Sequence, residues 1–472
     1  MTKTKELQKK APKGEPPKAS LPDFLSRKER LAAGRSLRES LLHEHHAPWK
    51  PPAKRRDPID VLEESNRDRM PELVPIRYGR MMRSPFTFLR GSAGLMAYDL
   101  ATTTPSTGLR VQACGDCHLL NFGMFATPER NLVFDMNDFD ETLPAPWEWD
   151  VKRLGASFAV AARDRNFSDK DARGAAVTCA RAYRVHLREC SKKSPLEVWY
   201  EHVDVQALID EAPDANARKI RKAIAARARQ RIGEYLVPKL TTTGGGKRRL
   251  VDQPPVLFHL AEKDAEERFR EGLEDYRQSL PDSVRVLFDR YRLEDWAVKV
   301  VGIGSVGTRC LVGLFFSAEG HPLFLQFKEA CSSVLAPYAG KSAYENQGQR
   351  IVVGQRLMQS SSDIFLGWTH GRRGYHFFGR QLRDMKISFP VEAMSIVQVK
   401  RYAEMCGSVL ARAHAKSGDA AKISGYLGKS DAFDQAIGEF SLAYADQTVR
   451  DHAALVAAVT KGRVKALVEE DL

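Results

Sequence analysis

The spacing G-x-G-x-x-G at Gly302, Gly304 and Gly307 restricts the fold more than any other feature of the chain, because of the residues directly after it. A dinucleotide-binding unit needs a helix immediately beyond such a loop. Here the next residues, TRCLVGLFFS, read as a strand. An Ala-Glu-Gly-His turn and a second strand-like run, PLFLQFKEA, come after it. DIFLGWTH and YHFFGRQL, separated by Gly-Arg-Arg-Gly, extend the series. One helix-like stretch over 343–358 interrupts it. Residues 296–390 are therefore expected to form a small antiparallel sheet with a single helix.

Strand, glycine loop, strand, turn and a strand carrying a lysine is the layout of a protein-kinase small lobe. Glycines at Gly302, Gly304 and Gly307 let backbone N–H groups close over phosphates. On this reading Lys328 contacts the α- and β-phosphates of ATP, with Phe327 and Glu329 on the opposite face of the strand. Glu345 is the one carboxylate between Ala330 and Ser362 and is expected to pair with Lys328.

A second constellation precedes the sheet. Gly115-Asp116-Cys117-His118-Leu119-Leu120-Asn121 places an Asn five residues after an Asp. Two short apolar runs, 122–125 and 132–134, flank a Thr-Pro-Glu-Arg turn and read as a hairpin. Beyond it lies Asp138, with Asp135 and Asp140 nearby. Phosphoryl transfer needs a carboxylate to orient or deprotonate the acceptor hydroxyl, and oxygen ligands to hold Mg²⁺ on the phosphates. Asp116 suits the first role. Asn121 and Asp138 suit the second, with Asp140 supporting Asp138 or binding a second ion.

These motifs resemble those of aminoglycoside phosphotransferases and choline kinases, which share H-G-D-x-H-x-x-N, a hairpin, I-D-[FW] and then a D-L-A helix start. The chain has C-G-D-C-H-L-L-N, N-D-F-D-E and W-D-V-K-R-L, with Cys114 where those families carry His. The resemblance spans about forty residues. It implies Asp116 as catalytic base, Asn121 and Asp138 as metal ligands, and Asp150 as a structural carboxylate. Over its whole length the chain also resembles the bacterial family known as domain of unknown function 2252, through FTFLRGSAG, GDCHLLNFG, FDMNDFDE, EWDVKRLGAS and LARAHAKSGD. That family is grouped with kinase-like proteins and has no agreed substrate.

In ordinary kinases the small lobe precedes the catalytic loop, and here it comes after. MCGSVLARAHAKSGD resembles the helix that leads into a catalytic loop, yet Asp419 has Ser424, not Asn, five residues on. The expected fold class is therefore α+β: a protein-kinase-like two-lobe fold, circularly permuted, with a helical insertion. Permutation is tolerated where termini lie close together at the surface. The expected divisions are a basic disordered arm over 1–60, the catalytic-loop part of the large lobe over 61–165, a helical region over 166–295, the small lobe over 296–390 and a final helical part over 391–472.

The remaining features narrow the class. No run approaches the roughly 20 apolar residues that a membrane-spanning helix needs. The N-terminus lacks the apolar core of a secretory signal, so a cytoplasmic location is expected. Seven scattered cysteines argue against a disulfide framework. Cys114-x-x-Cys117 lacks the second Cys or His pair that zinc requires. The net charge is +13, and the first sixty residues hold fifteen Lys or Arg against eight Asp or Glu. That arm reads as a solubilising tail, with a weak anionic partner as the alternative. A basic helix near 218–231 reads as a solvated face, with anion binding as its alternative. TTTGGGKRR at 241–249 reads as a flexible loop and lacks the P-loop spacing.

The expected activity is ATP- and Mg²⁺-dependent phosphotransfer, with the nucleotide as one partner and an unidentified hydroxyl-bearing acceptor as the other. Nucleotidyl transfer would use the same groups. A nucleotide-binding pseudokinase or scaffold is the non-catalytic alternative, and an anionic-polymer binder is a third.

Overall fold

The computed structural model describes residues 25–468 apart from 213, 245, 246, 263, 301 and 383. Its thirteen described strands are short. Near the N-terminus these are β1 (Arg110–Ala113), β2 (Phe122–Ala126), β3 (Leu132–Met136) and β4 (Leu143–Pro146). The middle of the chain supplies β5 (Val203–Asp204), β6 (Thr241–Gly244), β7 (Lys247–Leu250) and β8 (Leu257–Phe258). The rest are β9 (Tyr291–Lys299), β10 (Cys310–Ser317), β11 (Pro322–Glu329), β12 (Gly367–His370) and β13 (His376–Gln381).

The main sheet is antiparallel with the order β12-β13-β11-β10-β9-β8. The β10–β11 hairpin closes at Gly320, whose φ of 86° suits the turn. Ser317 N–H donates to the His321 carbonyl at 3.0 Å beside it. Alternation decides what each face buries. Leu323, Leu325 and Phe327 of β11 pack with Phe269, Tyr276 and Phe288 on one side, while Phe324 joins Val312, Leu314 and Leu236 on the other. Four of the expected strand runs thus lie in this sheet as β10–β13. It begins earlier in the chain than residue 296, because β8 and most of β9 precede that boundary.

Helices form the rest. Ser168 accepts from Asp171 N–H as the N-cap of the helix Asp169–Cys190, the position that the sequence assigns to it. This helix packs against Trp147–Asp164, Ile396–Ser417 and Ala432–Thr460. The close crossing with Ile396–Ser417 depends on Gly407, where a Cβ would lie 2.3 Å from the Cys179 carbonyl oxygen. Trp147 is fully buried and stacks on Tyr183 with ring centroids 5.7 Å apart. Such a pair contributes about 0.5–1.5 kcal/mol beyond its burial. This α+β arrangement positions the carboxylate loop: β1 pairs with β4, and β4 runs directly into the Trp147–Asp164 helix.

Three expectations need correction. Arg27–Ser40 is a helix with a Ser26–Glu29 capping box, packed on Ala420–Leu427, so the second half of the supposed disordered arm is ordered. Gly34 allows that contact, and Leu41, His46 and Trp49 are buried. Charge counting overlooked these few apolar anchors. The first 24 residues of the arm lie outside the described residues. Next, 241–250 is no plain loop, since β6 and β7 pair there as a hairpin. Its Gly245 and Gly246 are outside the described residues. Finally, the helix expected to start at 343 starts at Gln347, with Asn346 as its N-cap accepting from Gln349 N–H. No described helix is long and apolar enough to cross a membrane.

Candidate active site

The carboxylate loop is held from beneath. Asp150, in the first turn of Trp147–Asp164, accepts N–H bonds from Cys114 at 2.6 Å and Gly115 at 3.0 Å. His414 Nε2 lies 3.2 Å from the same carboxylate, and His414 Nδ1 lies 2.9 Å from the Tyr183 hydroxyl. Gly115 is required at the bend. Its φ is 83°, and a Cβ would come within 2.5 Å of the Glu141 carbonyl oxygen. Cys114 Sγ donates to the Asp138 carbonyl at 3.3 Å. The neighbouring Cys117 and burial push the Cys114 thiol far up, so it acts as a neutral donor.

Asp116 comes next, at the tip of the loop. Arg153, one helical turn beyond Asp150, donates from Nε to Asp116 Oδ1 at 2.7 Å and from Nη2 to the same oxygen. His118 is buried, with its Nε2 3.9 Å from Asp116 Oδ2. Burial lowers the His118 imidazole to about 4, so it is neutral near pH 7. Asn121 Nδ2 donates to the Asp116 carbonyl at 2.7 Å.

The β2–β3 hairpin brings the next acids back to this point. Phe122 lies opposite Met136, and Asn137 N–H donates to the Asn121 carbonyl at 2.9 Å. Asp138 and Asp140 lie just beyond. Their Oδ1 atoms are both buried without a hydrogen-bond partner. Lys328 of β11 reaches them from the main sheet, with Nζ 3.6 Å from Asp138 Oδ1 and bonded to Asp140 Oδ2. Lys328 is itself buried. Burial raises the Asp138 carboxyl, but Lys328, Arg380 and Lys386 outweigh it and hold the group well below its ordinary range. Burial and the adjacent Asp138 push Asp140 up. Burial disfavours the charge on Lys328, while Asp138 and Asp140 outweigh that and raise it.

Further cations line the same region. Arg380 Nη1 and Lys386 Nζ donate to the Asn137 carbonyl at 3.2 and 3.3 Å. The buried Arg90 Nε has no hydrogen-bond partner. Two other cavities, of about 50 and 240 Å³, lie along the main sheet, and no residue of this carboxylate site lines either.

The glycine loop between β9 and β10 lies against the carboxylate loop. A Cβ on Gly304 would sit 3.9 Å from Asp116 Oδ2 and 3.3 Å from the Arg90 carbonyl oxygen. Ser305 Oγ donates to Asp140 Oδ2 at 3.3 Å. Gly302 and Gly307 have φ of 69° and 90°. The loop is anchored from the N-terminal side. Arg80 and Arg69 donate to the Gly302 and Val306 carbonyls, and Met70 N–H donates to the Gly307 carbonyl at 2.7 Å. Ile303 packs among Tyr78, Met81 and Phe88, and Val306 packs with Leu73 and Ile76.

Asp116, Asn121, Asp138, Asp140, Lys328 and Gly304 are therefore brought to one place. Glu345 is not among them: it is exposed and precedes the first turn of Gln347–Met358. Lys328 pairs with Asp138 and Asp140 instead. The helix that packs beside β13 presents Arg350, which donates to the carbonyls of Asp140, Thr142 and Cys331. Asp419 accepts from Ala421 and Lys422 N–H and is a helix cap. Arg153, Ser305, Arg380 and Lys386 escaped the sequence reading. Arg153 was within reach of it, since W-D-V-K-R sets an Arg three residues after Asp150 on one helix face. Lys386 carries no local signal.

Comparison with known proteins adds the family. No curated protein and no solved structure matches the chain. Residues 69–458 match the model of a family described as "uncharacterized protein conserved in bacteria" (DUF2252). That span contains every residue of the site above, and the chain belongs to this family.

Proposed function

We propose that the chain is an ATP- and Mg²⁺-dependent phosphotransferase with a protein-kinase-like, circularly permuted site, acting on a hydroxyl acceptor. One observation carries this reading. Two carboxylates whose buried Oδ1 atoms accept no hydrogen bond converge on a buried lysine that arrives from a separate sheet, with Lys328 Nζ 3.6 Å from Asp138 Oδ1 and bonded to Asp140 Oδ2. Unsatisfied buried carboxylate oxygens are costly, and a hard divalent cation is the ligand class that satisfies them.

The residues fit that group. Asp138 and Asp140, with the Asn121 amide oxygen, would hold Mg²⁺. Lys328 would exchange its carboxylate partners for phosphate oxygens, with Arg380 and Lys386 beside it. Bound MgATP supplies the electrophilic phosphorus and neutralises charge on its oxygens. Asp116 orients the acceptor hydroxyl through Oδ2, while Arg153 fixes the carboxylate through Oδ1. A guanidinium on the other oxygen holds the Asp116 carboxylate in one orientation, which suits a loose transition state that asks mainly for positioning.

The Arg153 clasp also favours a second reading, a nucleotide-binding pseudokinase in which Asp116 is structural. Product analysis separates the two. Wild type incubated with MgATP should release ADP and phosphate slowly, with water as acceptor, and Asp138→Ala should not. AMP and pyrophosphate would redirect the account to nucleotidyl transfer. Turnover no faster than that of Asp138→Ala would favour the pseudokinase.

A further inference from the structure

We propose that His186, Cys190 and Glu201 form a binding site for Zn²⁺ or a similar thiophilic divalent metal. It lies apart from the carboxylate site and is independent of the function proposed above. His186 and Cys190 are four residues apart in the last turns of Asp169–Cys190, so their side chains share one face. Glu201 closes the group from the segment after the short helix Pro195–Tyr200. Its Oε1 lies 3.0 Å from His186 Nε2, and its Oε2 lies 3.7 Å from Cys190 Sγ. One donor atom from each residue lies within 4.8 Å of the others, the single such triad of His, Cys, Asp or Glu among the described residues.

Bonds of about 2.0–2.3 Å to a tetrahedral Zn²⁺ place its donors about 3.2–3.8 Å apart. The two Glu201 separations, 3.0 Å and 3.7 Å through different oxygens, lie near that range, and with the three donors within 4.8 Å of one another modest side-chain rotations bring them onto one ion. The donor set is one sulfur, one imidazole nitrogen and one carboxylate, which selects zinc-like metals over Mg²⁺. Cys190 is buried, whereas His186 and Glu201 are partly exposed. A metal would enter from the solvent side and keep a fourth position for water.

Lys193 now supplies the positive charge there, with Nζ 2.9 Å from Glu201 Oε2. Its side chain is 35% exposed, so it can swing into solvent when a dication replaces it. The Cys190 thiol must lose its proton on binding, so affinity falls as pH falls. The site would fix Glu201 to the helix. Arg412 links the Glu201 carbonyl to Asp135 of β3, and β5, just beyond Glu201, pairs with β3. The metal would therefore brace the strand that leads to Asp138.

Cobalt substitution tests this with the full chain freed of metal by chelation. One equivalent of Co²⁺ should give a thiolate-to-cobalt charge-transfer band and tetrahedral d–d bands, bleached by Zn²⁺. Both should vanish in Cys190→Ser and in His186→Asn. Zn²⁺ should raise the melting temperature of wild type and not of His186→Asn, a partly exposed position, with circular dichroism verifying that the variant folds. Absence of the bands in wild type overturns the proposal. So does their persistence in Cys190→Ser, which would assign the signal to another cysteine.

Discussion

Arg153 holds Asp116 by two N–H bonds to one carboxylate oxygen, leaving the other toward the glycine loop. Arg153 is buried, and its Nη2 also donates to the Leu89 carbonyl at 3.0 Å. Removing it strands a partly buried carboxylate. Arg153→Met should cost about 3 kcal/mol in urea unfolding. Adding Asp116→Asn to the Arg153→Met variant should recover part of that, a coupling of about 1–2 kcal/mol. Strictly additive costs would mean that the two side chains act independently.

Asp150 is the organiser of the loop rather than a reacting group. It accepts from two backbone N–H groups and faces His414. In Asp150→Asn an amide N–H meets donors on at least one side. A loss of about 2–4 kcal/mol is expected, measured by urea unfolding. MgATP binding should weaken too, because the loop carries Asp116 and Asn121. Wild-type stability in this variant would show that the loop holds its shape without the carboxylate.

Lys152 gives a pH-dependent test on a group that bonds to none of the site's carboxylates. It is fully buried, its Nζ has no hydrogen-bond partner, and it lies 4.7 Å from the Phe440 ring centroid. Burial lowers its ammonium from the ordinary 10.5 to about 7, with Glu148 opposing weakly. Between those values the unfolded chain binds more protons than the folded one, so this group makes stability rise with pH across that window. Lys152→Met removes the penalty. The variant should exceed wild type by about 5 kcal/mol at about pH 6, and the gap should shrink to about 1 kcal/mol by about pH 10. Thermal unfolding across that range checks it, and a gap independent of pH would contradict it.

How much of this was legible depended on the range of the interaction. The β10–β11 hairpin and its turn at Gly320 depend on residues close in sequence, and the strand pattern announced them. The Ser168 cap was legible for the same reason. The grouping of Asp116, Asn121 and Asp138 in space was legible because a short hairpin fixes their spacing. Glu345 misled because the only carboxylate in a window need not face the lysine, and two acids from another part of the chain already did. The packing of Ile303 and Val306 on 69–88 was not legible, since nothing local marks which apolar residues of a glycine loop are buried. Arg153 was overlooked because it sits in a helix that its apolar neighbours explain well enough.

In the proposed function the two halves of the site act on one nucleotide. Calorimetry of MgATP binding to wild type, Lys328→Ala and Asp138→Ala tests it most directly, with circular dichroism verifying that each variant folds. The account predicts micromolar binding that requires Mg²⁺ and weakens in both variants. Folded wild type that binds nothing at millimolar MgATP would contradict it.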